Sequence, residues 1–253
     1  VNLAVLTTKY WGKEGVNLGV GFMDSPTQAL RKKILAYMNL WGNYANVTFY
    51  ETATDPKVRV SRGGGGYWSY LGTDILHIPA GQPTMNLEGF TERTPESEFN
   101  RVVTHETGHT LGFPHEHMRA GIIADLDVEK TIAYFQQTQG WDRSEVIAQV
   151  LTPLPEDKFL AATKTAEPDS VMCYRLPGSI TKSGKAVIGG SGITASDGAL
   201  AGQVYPKAGV QPPVQPAAGD PLVIKVWNPD KVEIPGYKVT KLPAGKATRR
   251  KAA

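Results

Sequence analysis

The chain has 253 residues, of which 41% are hydrophobic and 20% are charged, which is ordinary for a globular protein. No run of 18 or more apolar residues occurs, which argues against a membrane-spanning segment. The net charge of +3 is too small to indicate a nucleic-acid partner by itself. We therefore expect neither a nucleic-acid nor a membrane partner.

The positive charge is concentrated near the C-terminal end. Residues 207–253 contain nine Lys or Arg, three Asp or Glu and seven prolines, and they have few aromatic residues. The first 206 residues carry a net charge of −3. We predict a globular domain over residues 1–206, followed by a Pro-rich basic tail over residues 207–253.

Cysteine content restricts how the chain is stabilised. Cys173 is the only cysteine, so an internal disulfide is excluded and the core must supply the stability. A single thiol is compatible with the cytosol and with export. Residues 1–6 lack the basic start and long apolar stretch of a signal peptide, so either no signal existed or the chain begins after processing. We expect a protein that is secreted or exported after processing.

Helix and strand signals alternate along the first half of the chain. Asp24-Ser25-Pro26 is typical of a helix start. Helical spacing then predicts an amphipathic helix to about Tyr44, with apolar positions at Leu30, Ile34, Met38 and Trp41. Alternating or β-rich segments predict strands at 47–50, 57–61, 67–70 and 74–78. This mixture indicates an α+β or α/β order.

Four later regions favour helices. The first should begin at Thr94-Pro95-Glu96 and end near Leu111, where Gly112 is placed to stop it. Residues 127–139 and 141–151 favour two more helices. Thr194-x-x-Asp197 resembles a capping box before a short last helix that ends near Tyr205.

One of these predicted helices has the residue spacing of a zinc site. His105-Glu106-Thr107-Gly108-His109 is an H-E-x-x-H pattern. Residues i and i+4 share a helix face, so both imidazoles can reach one ion. Glu106 lies one step round the helix, beside the metal without binding it, where a general base is needed.

A catalytic zinc needs a third protein ligand and an open position for water. Gly112 can leave the helix with a positive φ, which lets His115 return to the metal and completes H-E-x-x-H-x-x-G-x-x-H. With 5 His and 27 Gly in 253 residues, the added Gly and His would follow H-E-x-x-H by chance about once in 500 cases. His117 is the alternative third ligand, but the spacing favours His115. We predict one catalytic zinc ion.

These residues resemble the metzincin clan and, within it, the astacin family. The segments Gly112-Phe-Pro-His-Glu-His-Met-Arg119 and Tyr67-Trp-Ser-Tyr-Leu-Gly72 are similar to family motifs. Ser170-Val-Met-Cys-Tyr174 resembles the family's Met-turn, and residues 193–205 resemble its closing helix. The resemblance covers about residues 10–206. The family's disulfide cysteines are absent, and Cys173 stands where His is common.

The resemblance implies a fold and several residue roles. It implies an α+β, metzincin-like catalytic domain of two subdomains, with a twisted N-terminal sheet, an active-site helix and a Met-turn. Met172 should lie beneath the three histidines, and Tyr174 should reach the zinc and then hydrogen-bond the oxyanion. Glu116 should meet the amino terminus of the processed enzyme. His77 should lie on the strand that forms the upper rim of the cleft.

The predicted function is zinc-dependent hydrolysis of peptide bonds in protein or peptide substrates by an endopeptidase. Glu106 would take a proton from a zinc-activated water and deliver it to the leaving amine. Tyr174 would help to stabilise the oxyanion. The alternative is a binding protein that keeps the zinc site and docks a partner through its basic tail. Metal binding alone has no use for Glu106, which favours the enzyme. The oligomeric state is not indicated.

Truncation after Pro206 tests the role of the tail. Ordering a Pro-rich chain costs roughly 1–2 kcal/mol per residue and requires an apolar contact to offset it. Residues 222–227 are a short β-prone apolar run, which we expect to pack on a catalytic domain, its own or a neighbour's. Truncation should then lower the Tm, or raise casein cleavage if the run covers the cleft. Unchanged Tm and activity would contradict this expectation.

Overall fold

The computed structural model describes residues 4–153, 159–162 and 168–208. Within these ranges the strands are β1 (Ala4–Leu6), β2 (Val16–Phe22), β3 (Val47–Glu51), β4 (Val58–Ser61), β5 (Tyr67–Ser69), β6 (Met85–Leu87) and β7 (Phe159–Ala162). The helices are α1 (Gln28–Met38), α2 (Glu96–Glu98), α3 (Thr104–Thr110), α4 (Ala120–Ile123), α5 (Val128–Gln139), α6 (Arg143–Val146) and α7 (Ala195–Val204). The fold is α+β, as predicted.

The main sheet has five strands in the order β3-β2-β4-β6-β5. Strands β2, β3, β4 and β6 run parallel, whereas β5 pairs antiparallel with β6. Val20, Val58 and Val60 are fully buried, so the centre of the sheet is covered on the side where helix α1 packs. The strand order places β5 at one edge of this sheet.

Helix α1 confirms the predicted apolar face, but its start is later than expected. Leu30, Ile34 and Met38 are buried, and Trp41 is buried in the 3₁₀ turn that continues the helix. The capping residue is Thr27, whose side chain accepts a hydrogen bond from the Leu30 amide. Ser25 has a φ of 50°, a left-handed conformation that a helix cannot include, so the helix begins only beyond it.

The prediction of a strand over residues 74–78 is wrong. Residues Gly72–His77 form a 3₁₀ helix, in which His77 lies. Gly72 has a φ of 52°, which turns the chain out of the extended path. The sixth strand comes later, at β6, where all three residues are buried and no alternation marks a strand. His77 is therefore not on the rim of the cleft; the edge strand β5 takes that place.

The second half of the chain builds a separate apolar cluster. The helix predicted over residues 127–139 is present as α5, which is capped by Asp127 and ends at Gly140, with a left-handed φ of 69°. The helix predicted over residues 141–151 is present as α6 and a π-helical segment, Ile147–Leu151. The buried apolar side chains of these helices belong to this second cluster. It consists of Ile122, Leu126, Ile132, Phe135, Val146, Val150, Cys173, Leu176, Ile180 and Val187.

The last helix returns the chain to the apolar cluster that the main sheet and helix α1 form, the first cluster. Thr194 and Asp197 form the predicted capping box of α7. Leu200, Ala201, Val204 and Tyr205 then pack in the same core as the main sheet. Two apolar clusters with one cleft between them match the predicted pair of subdomains.

Two predictions concern residues outside the described ranges. The tail from residue 209 onward, with the apolar run at 222–227, is not described, and neither is the amino terminus that Glu116 was expected to meet. In the part of the chain that is described, no helix is both long enough and apolar enough to cross a bilayer.

Candidate active site

The helix that carries the H-E-x-x-H pattern is buried along its whole last part. It runs through α2, a π-helical segment (Phe99–Val103) and α3, and every residue of α3 is buried. The indole Nε1 of Trp41 donates a hydrogen bond to the Thr104 carbonyl at 2.9 Å. This contact joins the helix, at the residue before His105, to the 3₁₀ turn that follows α1.

Gly112 ends this helix as predicted. Its φ of 93° is open to glycine and rare for other residues. The Phe113 amide donates back to the Gly108 carbonyl, and the chain then reverses towards His115. Two side chains donate to the last carbonyls of the helix: Trp11 Nε1 to Thr110 at 2.7 Å and the Tyr205 hydroxyl to Leu111 at 2.6 Å.

The reversal brings three imidazoles to one point. One ring nitrogen from each of His105, His109 and His115 lies within 4.8 Å of the other two. The Nε2 atoms of His109 and His115 are 3.0 Å apart. A tetrahedral zinc bound at about 2.0–2.1 Å holds its ligand nitrogens about 3.3 Å apart, so this spacing fits one ion.

Backbone carbonyls orient two of these rings. His105 Nδ1 lies 2.6 Å from the Val171 carbonyl, and His109 Nδ1 lies 2.8 Å from the Phe113 carbonyl. A carbonyl only accepts, so each Nδ1 carries the proton and each Nε2 presents a lone pair. These are the tautomers that a metal site requires.

Burial keeps the three imidazoles neutral. It lowers the pKa of His105 to about 4 and that of His109 to about 3, with the His105 charge adding to the second shift. The pKa of His115 also falls well below its ordinary value, first through burial and then through His109. Neutral imidazoles bind a cation, so the chemistry of this set fits zinc.

Glu106 lies beside the histidines with one carboxylate oxygen unused. Its Oε2 is buried and has no hydrogen-bond partner among the described residues. Burial raises the pKa of Glu106 to about 8, while the Arg101 guanidinium acts in the opposite direction. A nearby cation favours the carboxylate form, so a filled metal site would lower this pKa. This environment suits a proton acceptor better than a structural ion-pair partner.

The Met-turn passes directly under the helix. Met172 is fully buried, and a Cβ atom on Gly108 would lie only 2.3 Å from its sulfur. No side chain larger than hydrogen fits there, so Gly108 permits the contact. The Glu116 amide also donates to the Met172 carbonyl at 2.8 Å, which joins the Met-turn to the segment after His115.

Asp197 holds the Met-turn from the other side, which sequence reasoning did not foresee. The carboxylate is fully buried and accepts hydrogen bonds from the Ser170 hydroxyl at 2.7 Å and the Val171 amide at 3.0 Å. It also accepts from the Thr194 amide within the capping box. Since the Val171 carbonyl orients His105, Asp197 supports a ligand position through a single residue, Val171. The capping-box pattern marked this residue only as a helix start.

Tyr174 contacts two imidazole rings, which also contact each other with centroids 5.0 Å apart. Its ring centroid is 4.1 Å from that of His115 and 4.4 Å from that of His117. Burial and the Glu106 carboxylate raise the pKa of the Tyr174 hydroxyl, so the group stays protonated and can donate a hydrogen bond. His117 itself does not join the cluster of three. Its Nε2 lies 3.2 Å from the Gln149 carbonyl.

Two neighbouring residues are placed as follows. Glu116 is buried and lies 3.5 Å from the Arg119 guanidinium, an ion pair that the sequence did not predict. Cys173 is a free, buried thiol in the second apolar cluster, and it is not part of the cluster of three histidines.

A cleft of about 1060 Å³ opens over these residues. Strand β5 and the glycines before it line one side, with Glu88, Glu98 and Arg101. Residues of the second half line the other side: Tyr134, Trp141, Gln149, Tyr174 and Arg175. Glu106 and the three histidines lie between them, where an extended chain has access.

We expect Asp197→Ala to lower the free energy of unfolding by about 2–4 kcal/mol, because it leaves a buried hydroxyl and two amides without their acceptor. Thermal unfolding in the presence of a chelator measures this effect apart from zinc binding. Asp74→Ala is the control, since its ion pair with Lys9 is partly exposed and worth less than about 1 kcal/mol. Equal losses in the two variants would contradict the support assigned to Asp197.

Comparison with known proteins agrees with this site. A family model described as Astacin, a peptidase family, matches residues 5–143, more than half of the chain. Zinc metalloproteinase nas-27 of Caenorhabditis elegans is 33% identical over 90 residues, which are 35% of this chain. The matched segment spans only 19% of the length of that relative.

Solved structures show the same relationship. A structure of myroilysin is 32% identical, with a TM-score of 0.74, and the match covers 81% of this chain and 98% of that one. High choriolytic enzyme 1, a hatching enzyme zinc-protease from the medaka fish Oryzias latipes, is 15% identical with a TM-score of 0.52 over 78% of this chain and 94% of that one, a likeness in fold alone. The chain therefore belongs to the astacin family and is a zinc metalloendopeptidase with one catalytic zinc ion.

Proposed function

We propose that the chain cleaves peptide bonds within protein substrates, with His105, His109 and His115 as zinc ligands and Glu106 as the general base. The observation that carries this proposal is the convergence of three neutral imidazoles in an open cleft, beside a buried carboxylate oxygen that has no hydrogen-bond partner among the described residues. When bound, zinc supplies Lewis acidity that polarises the substrate carbonyl and lowers the pKa of water towards about 7.

Glu106 moves the protons. As a carboxylate, it accepts a proton from the attacking water through its free oxygen and passes it to the leaving amine. The low exposure of its carboxylate keeps competing water away and strengthens its interaction with the reacting groups. Arg101 opposes the effect of burial on the pKa of Glu106 and so favours the carboxylate form.

Tyr174 donates a hydrogen bond to the oxygen on which negative charge develops. Its high pKa keeps the proton on the hydroxyl, and its ring lies against His115 at the edge of the cluster. A donor aimed at developing charge in a buried site is typically a large contribution to catalysis.

The substrate backbone lies along β5. This strand is at the edge of the five-stranded sheet and lines the cleft. An edge strand offers free amide and carbonyl groups, with which an extended peptide pairs. The Ser69 hydroxyl contacts the Thr110 hydroxyl at 3.0 Å, which fixes β5 relative to the active-site helix. A peptide paired with β5 therefore passes over the three histidines.

Residues 1–206 form the catalytic domain in this proposal. Secretion or export after processing stays a prediction, and so does the role of residues 207–253. The alternative, a zinc-retaining protein that binds a partner through its tail, depends on residues outside the described part of the chain. Casein cleavage that is lost with a zinc chelator separates the enzyme from this alternative.

Glu106→Ala should retain about one zinc per chain and lose nearly all proteolysis, because Glu106 is a base and not a ligand. Metal analysis and casein cleavage on the same sample test both statements. Glu14→Ala removes one exposed carboxylate outside the cleft and should keep both zinc and activity. More than a few per cent of wild-type cleavage in Glu106→Ala would rule out the assigned mechanism.

Tyr174→Phe should lower kcat by roughly 10-fold to 10³-fold with little change in KM, since its hydrogen bond is made in the transition state. Steady-state kinetics on a fluorogenic peptide measure both constants. Tyr37→Phe is the control, because it removes a hydroxyl that contacts Glu96 outside the cleft. An unchanged kcat in Tyr174→Phe would leave this tyrosine as a packing residue only.

A further inference from the structure

The imidazole of His117 stacks on another ring, a contact that the proposed metal site does not explain. This imidazole is fully buried and stacks on Tyr174, with ring centroids 4.4 Å apart and planes 15° from parallel. His115 contacts the same phenol ring at 4.1 Å with planes at 44°. Tyr174 thus contacts both a proposed ligand and a histidine outside the ligand set.

Two features hold His117 in place, one of its backbone and one of its side chain. His117 lies in a 3₁₀ turn, Glu116–Met118, that follows His115 directly. Its Nε2 contacts the Gln149 carbonyl at 3.2 Å, in the π-helical segment Ile147–Leu151. The imidazole therefore has one orientation, set by the second half of the molecule, and presents a flat face to Tyr174.

A flat face is what the proposed task of Tyr174 requires. A phenol ring that is free to turn about Cα–Cβ moves its hydroxyl by several ångströms, whereas a catalytic donor must be held within about 0.5 Å of its working position. A nearly parallel stack prevents tilting of the ring while it permits sliding in the ring plane. Few other side chains of this size supply such a surface.

We propose that His117 is a positioning residue, whose imidazole ring holds the Tyr174 phenol ring so that its hydroxyl reaches the substrate oxyanion. This inference rests on the function proposed above for Tyr174. It assigns His117 neither a ligand role nor a proton-transfer role; the ring surface is what acts.

Two substitutions distinguish the effect of the His117 ring on kcat from the effect of its polar contact. His117→Phe keeps an aromatic face and removes the contact with the Gln149 carbonyl, whereas His117→Gln keeps a donor and removes the face. We expect His117→Gln to lower kcat by about 3- to 10-fold, the range given by the loss of one aromatic pair, with KM unchanged. His117→Phe should keep kcat within about 2-fold of wild type, because it retains that pair. Both variants should bind one zinc per chain.

A double-substitution cycle shows whether the effect passes through Tyr174. In a Tyr174→Phe background there is no hydroxyl to position, so adding His117→Gln should change kcat by less than about 2-fold. A further loss equal to that in the wild-type background would overturn the inference but leave the role of Tyr174 intact. If Tyr174→Phe alone has no effect on kcat, the proposed function of Tyr174 fails, and the inference fails with it.

A spectroscopic measurement tests the contact without turnover. In protein labelled with 3-fluorotyrosine, the ¹⁹F resonance of Tyr174 is identified by its absence in Tyr174→Phe. We expect His117→Gln to shift or broaden this resonance, and His117→Phe to leave it narrow. Val58→Ala, a truncation in strand β4, which does not line the cleft, is the stability control and should leave the resonance and kcat unchanged.

Three further outcomes would overturn the proposal. One is a fall in kcat in folded, zinc-loaded His117→Phe as large as that in His117→Gln, which would assign the effect to the polar contact. Another is loss of zinc from His117→Gln, which would place His117 in the metal site. The third is an unperturbed Tyr174 resonance in that variant.

Discussion

The contact between Gly108 and Met172 is the point at which the two halves of the molecule meet at the site. Because position 108 has no side chain, the Met-turn approaches the active-site helix closely enough for the Val171 carbonyl to reach His105. The same approach lets the Glu116 amide bond to the Met172 carbonyl, next to His115. Two of the three proposed ligands are thus positioned by one turn of chain, and Asp197 secures that turn from behind.

Placing this cluster in a buried site has an electrostatic consequence. One carboxylate oxygen of Glu106 is buried and lacks a hydrogen-bond partner among the described residues, which opposes folding. Two carbonyls and the helix itself keep the rings in place despite this cost. A cation in the cluster would offset much of it, so metal binding and folding stability are expected to be linked.

Function is divided between the two apolar clusters. The first supplies the sheet edge β5 and the helix with His105, Glu106 and His109. The second supports Tyr174 and the surroundings of His117. Because neither half contains the whole site, any displacement of one half relative to the other changes the distance between the proton acceptor and the oxyanion donor. Contacts such as that of Tyr174 with His115 therefore matter beyond their own contribution to stability.

The sequence by itself determined those features that depend on residues close together along the chain. The spacing of His105 and His109, the stop at Gly112 and the return to His115 are local, as is the capping box at Thr194, and all were predicted. Residues 74–78 were predicted wrongly, since the conformation at Gly72 turned the chain before any strand formed. Only the tertiary structure decided that Asp197 bonds to Val171 and that His117 stacks on Tyr174. These contacts join residues 26 and 57 positions apart, and no short-range periodicity records which distant groups the folded core brings together.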